Sequence, residues 1–248
     1  MTNESVLFGL DLSVYAISFG VIIIAAIAQS SLGVGFGVVA APILALIDPA
    51  MLPGPLLVLA MLISLMVVVR DRRDLRFGHL SYALAGRILA SILGALTASL
   101  LGEREFMILF AVLILLAVAL SLSGRRVAPT RGNLFLAGSA SGYMGTITSV
   151  GTPPMALVYQ YSPGAEVRAN MSAFFSIGAL VSIISLMGFG AFDRTEMVFA
   201  VTLIPALIVG FLLSGYVKPY TDNGWMRPAM LVLCVLASLT LLAKSFVM

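Results

Sequence analysis

A chain of 248 residues with 60% hydrophobic and only 10% charged residues, and a mean hydropathy of +1.10, lacks the polar shell of a soluble domain, in which about a quarter of residues are charged. It reads as an all-α polytopic membrane protein. The formal charge of +3, from 14 Lys and Arg against 11 Asp and Glu, sits in short clusters between apolar runs, which reads as loop anchoring and not as a nucleic-acid surface.

The N-terminal stretch MTNESVLFGLDLSV has no Lys or Arg before the first apolar run, so it lacks a signal-peptide n-region and is expected to be retained. Runs of about 20 apolar residues suit a spanning helix. They give about ten helical pieces, two of them short or interrupted: roughly 11 to 31, 36 to 47, 54 to 70, 78 to 101 and 105 to 123, then roughly 133 to 147, 153 to 161, 167 to 190, 196 to 217 and 226 to 246.

Lys and Arg near membrane ends stay cytoplasmic. The loop RDRRDLR carries Arg70, Arg72, Arg73 and Arg76, and two spans later SGRRVAPTRG carries Arg125, Arg126 and Arg131. Both are expected inside a bacterial inner membrane, which places the N-terminus, with Glu4 and Asp11, and the C-terminus outside. That count requires the short pieces at 36–47 and 153–161 to cross; a re-entrant piece would change its parity. Tyr216, Tyr220 and Trp225 bracket the last loop as interfacial anchors.

Two stretches interrupt the apolar pattern with Gly, Ser, Thr and Pro: SLGVGFGVVAAPILAL from Ser31 and MGTITSVGTPPMALV from Met144. Such breaks at membrane depth survive only inside protein or beside a water-filled cavity, because an unpaired backbone group in hydrocarbon costs several kcal/mol. Placing Gly33 on Gly145 sets an offset of 112 residues, which also aligns Ala25 with Ala137, Ala28 with Ala140, Pro42 with Pro154, Ser64 with Ser176 and Val69 with Val181. Gly94 matches Gly210 at an offset of 116, implying a small insertion near a loop. Five pieces per half is an odd number, so residues 1–124 and 125–248 are expected as inverted repeats of one transport unit, with a site between the two breaks.

The first break reads Gly33, Val34, Gly35, Phe36, Gly37 and then Pro42; the second reads Val150, Gly151, Thr152, Pro153, Pro154. The pair resembles the sulfite-exporter TauE/SafE family of membrane transporters, whose halves carry GxGGGxxxxP and GxGGPP, and the resemblance covers nearly the whole chain. Phe36 and Thr152 stand where that family has glycines. The resemblance implies a small anionic substrate of sulfite, organosulfonate (sulfoacetate, for example) or related carboxylate type.

The residues themselves point to an anion. After each break a helix restarts, and the first N–H groups of a helix are unpaired and carry the positive end of its dipole. Thr152 is expected as the N-cap, with Pro153 and Pro154 in the first turn. Thr146, Thr148, Ser149 and Gly151 supply hydroxyls and open backbone; the first break adds Gln29, Ser30, Ser31, Gly33, Gly35 and Gly37. Substrate recognition is expected mainly on Thr146 to Thr152. The competing reading of any one of these small residues is tight helix packing.

Arg87 falls about nine residues into a span, roughly 13 Å deep at helical rise. A central arginine costs about 2.5 to 3.5 kcal/mol on insertion scales, so it either faces a substrate pathway as a fixed positive charge or snorkels to the nearer interface. His79 reads as a solvated interfacial residue, with proton relay the lesser reading. Asp48, Glu166 and Asp193 read as solvated caps; Asn170 and Gln160 as interhelical hydrogen bonders or pathway residues. Cys234, the one cysteine, excludes an intramolecular disulfide and reads as a small buried hydrophobe.

A secondary transporter of small anions is therefore the leading expectation, with membrane lipid, a coupling proton or sodium ion and a second copy of the chain as its partners. No cofactor, metal or nucleic acid is expected. A passive anion channel or a non-transporting membrane assembly subunit are the alternatives; an enzyme would need a nucleophile or metal constellation that one His, one Cys and the absence of HExxH and GxSxG do not supply.

Overall fold

The computed structural model describes residues 6–7, 10–47, 51–78, 80–123, 127–160 and 163–221, with 232, 234–236, 238–240 and 243 beyond them. Glu4, Asp48, His79, Arg125, Arg126, Trp225 and most of the tenth expected helix, as well as the side chains of Asp11 and Tyr220, lie outside the described residues.

Two short strands, β1 (Val6–Leu7) and β2 (Leu10–Asp11), pair antiparallel, and beyond them the regular structure among the described residues is helical. The helices are α1 (Leu12–Leu32), α2 (Phe36–Ile47), α3 (Gly54–Asp71), α4 (Leu80–Leu100), α5 (Glu103–Leu122), α6 (Arg131–Thr148), α7 (Thr152–Tyr159), α8 (Gly164–Gly188), α9 (Arg194–Thr202) and α10 (Ile204–Thr221). The expected span at 196–217 is divided: α9 and α10 meet at a 41° bend. Pro205, in the first turn of α10, has no N–H for the carbonyl four residues back and its ring crowds that carbonyl, so Leu203 N–H bonds to Ala200 O instead, at 3.2 Å.

α1, α3, α4, α5 and α8 are long and apolar enough to cross a membrane, and the bent α9–α10 pair adds a sixth candidate. α6, rich in Gly, Ser and Thr, is not among them. It is sheltered by its neighbours, above all by α4. Gly138 sits on the backbone of Ala83, Gly142 on that of Arg87, and Gly94 on Tyr143 and Thr146. Residue numbers rise together along both helices, so α4 and α6 run parallel.

Their starts therefore lie on one face, where the Arg131 guanidinium stacks 5.4 Å over the Tyr82 ring. The end of α3 and the start of α8 join them there. Arg168 Nε donates to Asp71 Oδ2 at 2.6 Å, and the Arg76 N–H donates to Asn170 Oδ1 at 2.8 Å. This is the arginine-rich face. Because α6 and α8 both begin on it, α6 and α7 together leave that face and return to it. α7, with 8 residues, is about 12 Å long and α2, with 12 residues, about 18 Å. Neither can cross a hydrocarbon core of about 30 Å unaided.

The larger core gathers α1, α2, α3 and α5 around Ile22, Phe36, Leu56, Leu59, Ile63 and Ile114; a smaller one, around Leu80, Leu134, Met155 and Phe174, lies toward the arginine-rich face. Pro42 lies inside α2 and leaves the Val38 carbonyl without its helical donor. Cys234 Sγ donates to that carbonyl at 3.4 Å. The buried cysteine thus fits its expected packing place and has a bonding role besides.

Candidate functional site

A small, part-open cavity lies where the two breaks meet. They are in direct contact: a side chain on Gly37 would overlap the carbonyl of Ser149. Gln29, Phe36 and Gly37 form one wall, with Leu57, Ala60 and Ser64 of α3 beside them. Gly145, Ser149, Gly151 and Thr152 form the opposite wall, and Arg87, Phe175 and Ala179 close the space between.

In the first break the chain reverses through Gly33 (φ 75°) and Gly35 (φ 114°), left-handed conformations that glycine adopts without strain. Gln29 staples the turn. Its Nε2 donates to Gly33 O at 3.1 Å and to Ser64 Oγ at 3.4 Å, while its Oε1 accepts the Phe36 N–H at 3.3 Å. One free donor of the α2 N-terminus is thereby occupied by the protein itself.

In the second break α6 closes on Ser149, whose backbone is left-handed at φ 59° and whose N–H bonds to Gly145 O at 2.9 Å. Thr148 Oγ1 donates to Met144 O at 2.7 Å and accepts the Val150 N–H at 3.1 Å. The N-cap of α7 is Gly151, and Thr152 is the first helical residue, which corrects the expected Thr152 cap. A capping side chain serves the second and third N–H groups of a helix; counted from Gly151 those positions are Pro153 and Pro154, which have none, so this helix start has no side-chain cap. This helix end keeps its dipole but loses two of its four donors, so it is a weaker anion site than the sequence suggested.

The positive charge comes from α4. Arg87 is 2% exposed, and the exposed residues Leu89, Ile92 and Leu93 lie on the other side of its helix, so it faces protein and does not snorkel. Its Nη1 donates to Ser141 Oγ at 2.9 Å and Ser141 O at 3.1 Å. Ser141 Oγ in turn donates to the carbonyl of Gly151. The guanidinium carbon lies 4.9 Å from the centre of the Phe174 ring and 5.6 Å from that of Phe175, within range for cation–π attraction. The Nε–H is buried with no acceptor. Among the described residues the ion pairs are Arg70–Asp71 and Arg168–Asp71; no carboxylate pairs with Arg87.

Of the residues singled out from the sequence, the structure gathers Gln29, Gly37, Arg87, Ser149, Gly151 and Thr152 around the cavity. The others serve the breaks without lining it. Gly33 and Gly35 make the turn, Ser31 is buried at its edge, and Thr148 bonds its own chain. Thr146 donates to Gly142 O at 2.8 Å and shares a 2.7 Å hydrogen bond with Ser182 of α8, so its hydroxyl is already engaged. Asn170 bonds across to the Arg76 segment, as an interhelical residue would. Asp193 and Glu196 form a capping box at the start of α9. Ser64, Ser141, Phe174, Phe175 and Gly178 were not anticipated as site residues, although Gly138, Ser141, Gly142 and Gly145 fall on one helical face at spacings readable in the sequence. Among the described residues no cluster of His, Cys, Asp and Glu could hold a metal ion.

Neither a curated protein nor a solved structure matches the chain. The profile of the sulfite exporter TauE/SafE family matches residues 18–241, a stretch that contains both breaks, Arg87 and every residue lining the cavity. By that match the chain belongs to the sulfite exporter TauE/SafE family of membrane transporters.

Proposed function

We propose that this multi-pass membrane protein is a secondary transporter of small anions that binds its substrate in the cavity between the two breaks, with Arg87 as the fixed positive charge. The observation that carries this reading is a guanidinium buried beside a cavity with no carboxylate partner. Desolvating a cation without a counter-charge is unfavourable by several kcal/mol, roughly, and an entering anion supplies the missing partner. The hydroxyl of Thr152 and the N–H groups of Gly151 and Thr152 at the start of α7 offer further contacts. Sulfite, organosulfonates and related carboxylates are the substrates this chemistry accommodates.

Alternating access between inverted halves, 1–124 and 125–248, is the mechanism we favour. The helix pairings support it: α1 packs on α10 as α6 packs on α4, α1 on α2 as α6 on α7, and α3 lies against α8. The contact of Cys234 with α2 is likewise the counterpart of α5 packing on α7. Gly210 meets the carbonyl of Ile23 on α1 as Gly86 meets that of Phe135 on α6, and the 112-residue offset pairs Ile23 with Phe135, so Gly86, and not the sequence-matched Gly94, is the counterpart of Gly210. We place the arginine-rich face in the cytoplasm of a bacterial inner membrane, with proton or sodium coupling and assembly with a second copy of the chain as further elements of this proposal.

The test is uptake of labelled sulfite, sulfoacetate and acetate into proteoliposomes under imposed pH and sodium gradients. Saturable, trans-stimulated flux of at least one anion, lost in Arg87→Gln, is the expected result. Unsaturable flux would instead indicate a channel, and unchanged kinetics and anion preference in Arg87→Gln would remove Arg87 from the mechanism.

A further inference from the structure

We propose that Gly178 is a positioning residue for Arg87, holding the guanidinium at the cavity by leaving its own side-chain place empty. The inference rests on the anion-binding reading for its functional consequence but not for its geometry.

A Cβ built on Gly178 would fall on Arg87 Nε and overlap Cδ and Cζ as well. The arginine occupies the volume in which any other residue would carry a side chain. Gly178 is one helical turn beyond Phe174 on α8, so the two present one continuous surface: the ring of Phe174 lies under the guanidinium at 4.9 Å and the glycine backbone lies under Nε. From the other side, a Cβ on Gly151 would lie 3.0 Å from Nη1, and one on Gly145 3.3 Å from Nη1 and 3.4 Å from Nη2. Those approaches are tight but leave space. Only at Gly178 is the overlap with the guanidinium complete.

Neither neighbour can yield easily. Arg87 enters from α4, whose backbone is pressed against Gly142, and α8 is held at its start by Arg168 on Asp71. A methyl group at residue 178 must therefore push the guanidinium off its Ser141 contacts and away from its place beside Gly145 and Gly151. Alanine is intrinsically a better helix former than glycine, so helix propensity would act against any destabilisation that follows. Gly178 touches no substrate and is not part of the cavity lining; it acts through Arg87.

The experiment is a double-mutant cycle on the full chain, comparing the native protein with Gly178→Ala, Arg87→Ala and the double variant. The first readout is Tm in detergent without added anion. Gly178→Ala is expected to lower Tm in the native background and to leave it unchanged or raise it in the Arg87→Ala background, where the contested space is vacant. An equal fall in both backgrounds overturns the inference, because the methyl group would then be clashing with something other than Arg87. The second readout is the thermal shift produced by sulfite, sulfoacetate and acetate. Gly178→Ala is expected to weaken the response by about tenfold or more in half-saturating anion, a difference of about 1.4 kcal/mol, and to add nothing to the loss in Arg87→Ala. Loss in Arg87→Ala with full retention in Gly178→Ala overturns this inference alone. Full retention in Arg87→Ala overturns the anion reading, and the Tm cycle still decides the geometric claim.

Discussion

Replacing Arg87 by methionine separates two roles that the buried guanidinium combines, because it keeps an unbranched stem and removes the charge. In the anion-free protein Arg87 makes two hydrogen bonds to Ser141 and lies over two aromatic rings. Each hydrogen bond contributes about 1 kcal/mol net, and each ring about 1 kcal/mol, or about 4 kcal/mol together. Against this stands the expense of an arginine at mid-membrane, about 2.5 to 3.5 kcal/mol. The two sides nearly cancel, so Arg87→Met should change the stability of the anion-free protein by no more than about 1 to 2 kcal/mol in either direction. Anion binding behaves differently. Truncating one partner of a buried, hydrogen-bonded charge pair typically removes about 2 to 5 kcal/mol, which is a loss of about 30-fold to several thousand-fold in affinity. Thermal unfolding in detergent with and without sulfite, sulfoacetate and acetate measures both quantities in one series, and proteoliposome uptake checks the second independently. A variant that unfolds many degrees earlier yet transports with native half-saturation would refute the reasoning, since Arg87 would then be a structural brace.

Three further substitutions probe the surroundings. Gln29→Glu keeps the acceptor for the Phe36 N–H but sets an oxygen against Gly33 O in place of the Nε2 donor, on the same cavity as Arg87, so it should lower Tm and lose anion binding by at least about tenfold; a native dose-response for sulfite would count against a shared site. Asp71→Asn removes the charge that pairs with both Arg70 and Arg168, and because Asp71 and Arg168 are only 12% and 13% exposed it should lower stability by about 1 to 3 kcal/mol, and Arg168→Gln should lower it by a similar amount. An unchanged Tm in Arg168→Gln would show that this pair is not what holds α8 to α3. Cys234→Ala leaves the Val38 carbonyl without a donor and should lower stability by about 1 kcal/mol, whereas Cys234→Ser retains a donor and should stay nearer native; equal Tm values would assign the cysteine a packing role alone.

Helix positions and the two breaks were readable in the sequence because hydrocarbon imposes a simple rule, long apolar runs with polar punctuation, and from Leu12 to Gly188 the helix ends fall within three residues of those the rule gives. α9 and α10 escaped that rule since Pro205 sits within a run that remains apolar on both sides. The meeting of the breaks was legible through Gly33, Pro42, Gly145 and Pro154, whose spacing repeats. What each polar residue does was much less so. A hydroxyl in a glycine-rich stretch is equally suited to bond substrate or its own backbone, and Thr146 and Thr148 turn out to do the second. Arg87 could be flagged from depth alone, but its aromatic bed and its glycine gap belong to α8, far away in sequence, and no local pattern announces a residue that matters for the atoms it lacks. The two prolines after Gly151 pointed correctly to a helix start, and their missing N–H groups, which weaken that start as an anion site, became plain only once Gly151 was seen to be its cap.

The seam between α4 and α6 sets how the site can rearrange. Gly86 and Gly138 bring one helix backbone into the carbonyls of the other, and a contact of that kind has no side chains that could swing aside to permit sliding. Arg87 and the α6–α7 break are thus carried on a single stiff plank. Gly37 meets the carbonyl of Ser149 in the same way, so the first break is keyed to that plank by a backbone contact as well. On the reading proposed above, an anion held by Arg87 would therefore sit against the least deformable part of the molecule.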